Sequence, residues 1–236
     1  MGLSSERDSK EQDWYLSVIR DNLLLDIEDP TRNKDLLDGI ATIEIKNVLD
    51  VGCGIGQALF PLAVSKNAFG VGVDISEKAC RIGKEFYAAH IPDARVVFLC
   101  SKAESLPFAS ESFDVVNCNL VLPYTKNYFA LSEFSRVLRP RGLLLLKIHH
   151  ARFYLNEFWR GLISFDVLSL IHSLRVLVAG TIYHITSRQP LFKPLNETFQ
   201  TRWLLVRELS KVGLEIEREQ TNSNPLTPSF VIIKKC

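Results

Sequence analysis

One ten-residue stretch, NVLDVGCGIG at positions 47–56, restricts the fold of this chain more than any other. A short β-prone run leads straight into a G-x-G-x-G turn, and a helix-forming segment follows. Glycines at such a turn let the backbone tighten and let a ligand lie against the main chain without meeting a Cβ atom. Taken alone, the pattern also fits a purely structural turn. Two neighbouring residues narrow its meaning. The dinucleotide fingerprint is G-x-G-x-x-G, whereas position 57 here is Gln57, so the spacing does not suit NAD or FAD. Asp50 stands two residues before the first glycine, where a carboxylate would repel a pyrophosphate and attract a ligand carrying an ammonium and a sulfonium. The competing reading of Asp50 is a cap for the turn.

The next β-rich run, Phe69–Asp74, ends in an acid twenty-two residues after Gly52. An acid at that strand end can accept hydrogen bonds from both hydroxyls of a ribose. It can also act as an N-terminal acid for the helix that follows. Further β-rich runs fall at 95–100, 113–120 and 143–149, with helical segments expected at 58–66, 76–89 and 126–138. Ser76 is a natural N-cap, and Arg139-Pro140 is expected to close the third of these helices. Near-continuous apolar strands such as LLLL (143–146) suggest burial on both faces. Alternating β and α units predict a doubly wound α/β fold with a mostly parallel seven-stranded sheet. At the C-terminus a helix over 199–212 precedes two strands, 214–219 and 229–235. Their nine-residue connection is too short for a helical crossover, so an antiparallel hairpin is expected.

These stretches together resemble the class I S-adenosylmethionine-dependent methyltransferases, in the broad small-molecule group often labelled type 11. The matching segments are VLDVGCGIGQ (48–57), GVGVDIS (70–76), AESLPFASESFDVV (103–116) and EFSRVLRPRGLLLL (133–146), in family order. The resemblance covers about residues 45–150, and the terminal hairpin extends it. It implies S-adenosylmethionine as cosubstrate and S-adenosylhomocysteine as product. It places Gly52, Cys53, Gly54 and Gly56 against the methionine part and Asp50 near its amino group. It assigns the ribose to Asp74 and adenine packing to Ile75. Ala103 and Glu104 would lie around the adenine, with Asn119 and Leu120 beside the sulfonium and methyl group. Two positions depart from the family: Lys102 stands where an acid often binds the adenine amino group, and Arg141 replaces a glycine.

The family reaction is an in-line displacement from an activated sulfonium, so the protein mainly aligns the acceptor and excludes water. A hydroxyl acceptor also calls for a general base. His149 and His150 follow the fifth strand, whose C-terminal end should face the cleft, and they are the first candidates. Tyr154 and His184 are secondary ones. A hydrogen-bonded structural histidine is the competing reading of each. No metal-ligand spacing is visible.

The expected organisation is an N-terminal helical cap (1–44), a cofactor-binding core (45–150), a helical insertion (151–197) and a C-terminal helix and hairpin (198–236). The insertion is rich in aromatic and aliphatic residues. It is expected to form a lid over a small, partly apolar acceptor, with O-methylation the favoured outcome. The N-terminal helix, with Trp14 and Tyr15, is expected to close the other side. A net charge of +1 excludes a global field for nucleic acid or membrane. Even so, residues 136–211 hold twelve bases against four acids, a hint of an anionic or lipid-like partner. The apolar stretch from Leu162 to Ile182 is interrupted by Asp166, His172 and Arg175. Those interruptions argue against a membrane span and leave an interfacial helix open. The polar N-terminus does not resemble a secretory signal, and five scattered cysteines suit a reducing cytoplasm.

Two rival functions fit parts of the sequence. A transfer-RNA or lipid methyltransferase fits the basic segment, but Asn119 lies four residues from Pro123, so the tetrad of base-amine methyltransferases is absent. A non-catalytic S-adenosylmethionine-binding partner subunit fits Lys102. The acceptor atom and the oligomeric state are left open by the sequence.

Overall fold

The computed structural model describes residues 17–38, 40, 44–190, 196–220 and 224–235. Trp14 and Tyr15 lie outside the described residues. Seven strands form one sheet in the order β3-β2-β1-β4-β5-β7-β6: β1 (Asn47–Val51), β2 (Phe69–Asp74), β3 (Val96–Cys100), β4 (Phe113–Asn119), β5 (Leu138–Lys147), β6 (Leu214–Glu219) and β7 (Ser229–Lys234). The expected mixed, doubly wound α/β architecture is present. The chain divides into two compact units, Met1–Lys102 and Ala103–Cys236.

In the first unit, β1 and β3 flank β2, and both pairings are parallel. The helices are α1 (residues 17–28), α2 (Lys34–Asp38), α3 (Leu59–Leu62) and α4 (Glu77–His90). Ser76 caps α4 as expected, its hydroxyl accepting from the Ala79 amide at 3.2 Å. The helix expected over 58–66 is shorter. After Leu62 the chain tightens into a 3-10 turn, and left-handed Asn67 stops it. On α1 Val18 is exposed, whereas Ile19 and Leu23 are buried with Ile55, Leu59, Phe60 and Tyr87. The i,i+4 pair on α1 thus seals the glycine turn from the core side.

In the second unit, β4 and β5 run parallel, while β7 lies antiparallel between β5 and β6. Hence the expected terminal hairpin is present. The helices are α5 (Asn127–Val137), α6 (Ala151–Ser164), α7 (Val167–Thr186) and α8 (Arg202–Ser210). Helix α5 stops at Val137, just before Arg139-Pro140 as expected, and β5 begins at Leu138, earlier than the expected 143. Residues 139–142 form an irregular excursion in the β4/β5 register, held by an ion pair between Arg139 and Asp114. Left-handed Arg141 turns the chain here, at φ 64°, which explains why glycine suits this position. The apolar run of 162–182 is broken into two helices at Phe165, itself left-handed, and Asp166, which caps α7 through the Leu168 and Ser169 amides.

Candidate active site

Strand β1 delivers the glycine turn. Gly52, Gly54 and Gly56 all have positive φ, at 72°, 55° and 93°, conformations in which other L-residues are strained. The turn is tied to β2 by the amides of Gly52 and Cys53, which donate to the Val73 carbonyl. Behind it the Tyr87 hydroxyl donates to the Gly56 carbonyl at 2.6 Å, in the buried core. Cys53 turns its side chain inward: a Cβ on Gly72 would stand 2.8 Å from its sulfur. Only the Cys53 backbone is left to face a ligand. Its thiol is pushed far up, first by the contact with Cys80 and then by burial, so it stays a neutral packing group. Asp50 is buried at the strand end just before the turn.

Asp74 is fixed rather than loose. One carboxylate oxygen accepts from the Gly54 amide and the other from the Ser76 amide, each at 2.9 Å. Each oxygen keeps a further lone pair, so the carboxylate is oriented to receive two more donors. The pair of ribose hydroxyls matches that requirement. Ile75 beside it is 71% exposed, an apolar side chain with no protein cover and the right character to pack on a purine. A backbone that glycines leave open, a steered carboxylate and an uncovered apolar residue fit the nucleoside and amino-acid parts of S-adenosylmethionine. Lys102 is exposed just past the end of β3.

In the second unit Ala103 is buried, and the Glu104 carboxylate accepts from the Lys126 amide at 2.9 Å, capping the start of α5. The loop that follows is braced from α5. Glu133 accepts from the Leu106 amide, and Arg136 donates to Glu133 and to the carbonyls of Leu106 and Phe108. This brace explains the EFSR stretch, which reads as motif in the sequence and serves as a strut. At the end of β4, Asn119 is exposed and Leu120 is left-handed at φ 60°. Asn119 is in register with Lys147 of β5, so the β4 and β5 ends lie side by side.

The two histidines that follow β5 have different surroundings. His150 is the N-cap of α6, its Nδ1 accepting from the Arg152 amide at 3.2 Å. Its ring is engaged by the backbone. His149 stacks on Phe153 and meets the Tyr154 hydroxyl through Nδ1 at 3.3 Å. That hydroxyl lies 3.0 Å from Glu197 Oε1, and His172 Nε2 stands 3.7 Å from the same oxygen. A carboxylate only accepts, so Tyr154 donates to Glu197 and receives the His149 Nδ1 proton. The lone pair of His149 then sits on Nε2. Burial, helped by Lys147, holds His149 below the ordinary imidazole range, so the ring is neutral near pH 7. Burial also pushes the Tyr154 phenol up, with Glu197 adding to it. Glu197 and His172 were missed as site residues because forty-three residues separate Tyr154 from Glu197 and nothing local marks the pairing. His184 lies elsewhere, bonded to the Gly180 carbonyl and the Thr201 hydroxyl, where it locks α7 to the start of α8.

With this geometry in place, the similarity to known proteins becomes specific. Residues 49–146 match the family model described as a methyltransferase domain. Over that segment the chain is similar to methyltransferase domains. The chain is 35% identical over 122 residues to 27-O-demethylrifamycin SV methyltransferase of Amycolatopsis mediterranei, covering 50% of this chain and 44% of that protein. It is 34% identical over 113 residues to the ubiquinone/menaquinone biosynthesis C-methyltransferase UbiE of Dinoroseobacter shibae, covering 47% and 45%. The chain therefore spans under half the length of these curated relatives. Among solved structures, magnesium protoporphyrin IX methyltransferase from Synechocystis with bound S-adenosylhomocysteine shares the fold. The TM-score is 0.57 at 17% identity, over 94% of this chain and 84% of that one.

Proposed function

We propose that this chain is a class I S-adenosylmethionine-dependent methyltransferase that methylates an oxygen on a small, partly apolar acceptor, with His149 as general base. The carrying observation is the chain Glu197–Tyr154–His149, which leaves the Nε2 lone pair of a neutral imidazole available. The sulfonium of S-adenosylmethionine supplies an activated methyl group and needs no further activation by the protein. What the chain's residues must do is hold and deprotonate the acceptor. Asp50, Gly52, Gly54 and Gly56 receive the amino-acid part, and Asp74 and Ile75 the nucleoside. Ala103, Glu104, Asn119 and Leu120 retain the roles that the family resemblance gives them. His149 accepts the acceptor hydroxyl proton at Nε2 as the new C–O bond forms. The positive charge that develops on the ring is stabilised through Tyr154 by the Glu197 carboxylate, a Coulombic effect strengthened by partial burial. Cys53, Cys80, Cys100 and Cys118 form no disulfide among the described residues, and the proposed setting is the reducing cytoplasm.

Calorimetry with S-adenosylhomocysteine tests the first half of this reading, and absence of binding would refute it. Transfer of tritiated methyl to a panel of phenols, enols and aromatic amines tests the second. His149→Gln should lower turnover of hydroxyl acceptors about 100-fold while leaving S-adenosylhomocysteine affinity in place. Equal turnover by the variant would remove His149 as base.

A further inference from the structure

Helix α7 is amphipathic in the reverse sense. Its buried face holds Ser173, Val176, Ala179, Gly180 and Tyr183. Branched aliphatic residues recur at helical spacing on the opposite side, and Ile171, Leu174, Val178, Ile182 and Ile185 are all exposed. A helix facing water carries its charges outward and its apolar stripe inward. Here the uncovered stripe runs the length of a twenty-residue helix and continues around the turn into α6. Phe165 at that turn is 88% exposed and Ile163 78%, with Val167 and Leu168 also exposed beside them. Contiguous exposed apolar surface of this extent marks a docking face.

Composition decides what docks. Only 28% of the most apolar window of α7 is buried. Trp159 and Arg160, both exposed, lie six and five residues before Phe165, about 7.5–9 Å behind the turn along the α6 axis. The charges beside the turn are already engaged: Arg160 pairs with Glu157 at 2.9 Å, and Asp166 caps α7 through backbone amides. Apolar groups at the turn, with a tryptophan one or two turns back, reproduce the layering of an interfacial helix on a bilayer. By length and composition α7 is also apolar enough to cross a membrane. A span does not fit its packing, because Tyr183, Val176 and Ala179 are buried within the unit and Arg175 sits mid-helix.

We propose that the α6–α7 hairpin docks on a lipid bilayer, its apolar stripe and turn entering the boundary between headgroups and acyl chains, with Trp159 at the headgroup level. Docking is a property of this face and does not depend on the methyl-transfer reading, so the two fail separately.

The test is vesicle flotation of the full chain with phosphatidylcholine alone and with about one third phosphatidylglycerol added. The wild type should float with both kinds of vesicle and keep floating in high salt, as apolar insertion requires. An Ile163→Asp/Phe165→Asp variant places two carboxylates on exposed turn positions. It should bind vesicles at least about tenfold more weakly while keeping the wild-type melting temperature. A milder Phe165→Ser variant, should the first fold poorly, should give an intermediate loss. Failure of the wild type to float with either vesicle, or undiminished flotation of both variants, would overturn the proposal. So would a wild-type dimer by light scattering that the double variant converts to monomer without any flotation, which would give the face to a second copy of the chain. Loss of S-adenosylhomocysteine binding in the wild type would strike the methyltransferase reading and leave this one standing.

Discussion

Replacing Gly56 by alanine isolates the physical reason for the third glycine of the turn. Its φ of 93° is outside the region alanine occupies comfortably, which costs about 1–3 kcal/mol. The added Cβ would also stand 2.8 Å from Phe98 Cζ and 3.0 Å from Tyr87 Cε2. Neither ring can retreat freely. They pack edge to face at 5.5 Å, and the Tyr87 hydroxyl is bonded to the carbonyl of Gly56 itself. Relieving this overlap should cost a further 1–3 kcal/mol, roughly, as core overpacking does. The sum, about 2–6 kcal/mol, is a large part of the stability expected of a domain. Gly213 provides the control: its φ is 74°, but a Cβ there meets nothing within 4 Å, so Gly213→Ala carries backbone strain alone. Urea unfolding of both variants should show Gly56→Ala losing at least about 1 kcal/mol more than Gly213→Ala, with an unchanged slope. Calorimetry should show weaker S-adenosylhomocysteine binding for Gly56→Ala only. Equal losses in the two variants would refute the steric argument.

Other consequences are open to measurement. Burial holds His149, His150 and His184 below the ordinary imidazole value of 6.5. The folded chain then binds fewer protons than the unfolded one, so their contribution is intact above pH 6.5 and is lost as pH falls through the folded values. Melting temperature should accordingly drop on acidification below 6.5, and His149→Gln should flatten the slope. Hydrogen bonding to Arg136 pulls Glu133 below 4.5, so the strut should hold above that pH and weaken as pH falls further, a step absent in Glu133→Gln. Arg141→Gly, which relieves a left-handed arginine at an exposed turn, should raise stability by about 0.5–1 kcal/mol in thermal unfolding. Tyr154→Phe cuts the link between His149 and Glu197, and should lower kcat for hydroxyl acceptors about tenfold without changing S-adenosylhomocysteine affinity.

Much of the fold was legible because its signals are local. Strands β1 and β2 fall where the β-rich runs place them, Ser76 caps α4, and the terminal strands pair antiparallel across a connection too short for anything else. Boundaries were lost where tertiary contacts override local preference, as at the start of β5, expected at 143. The helix end before Arg139-Pro140 is met, but pairing of Leu138 with Phe113 and the Arg139–Asp114 ion pair draw the segment after it into β5.

The candidate site divides in the same way. The sequence by itself determined the glycine turn and the acid at the end of β2, because glycine torsions and strand-end acids are encoded within a few residues. It could not decide between His149 and His150, which are chemically identical neighbours. Only the tertiary structure separated them, by giving one to the α6 backbone and aligning the other with Tyr154 and Glu197. Nor could a run of apolar residues from 162 to 182 reveal which side of its helices stays uncovered. That depends on what packs against Ser173 and Tyr183, and so on contacts between elements rather than on the order of residues along one of them.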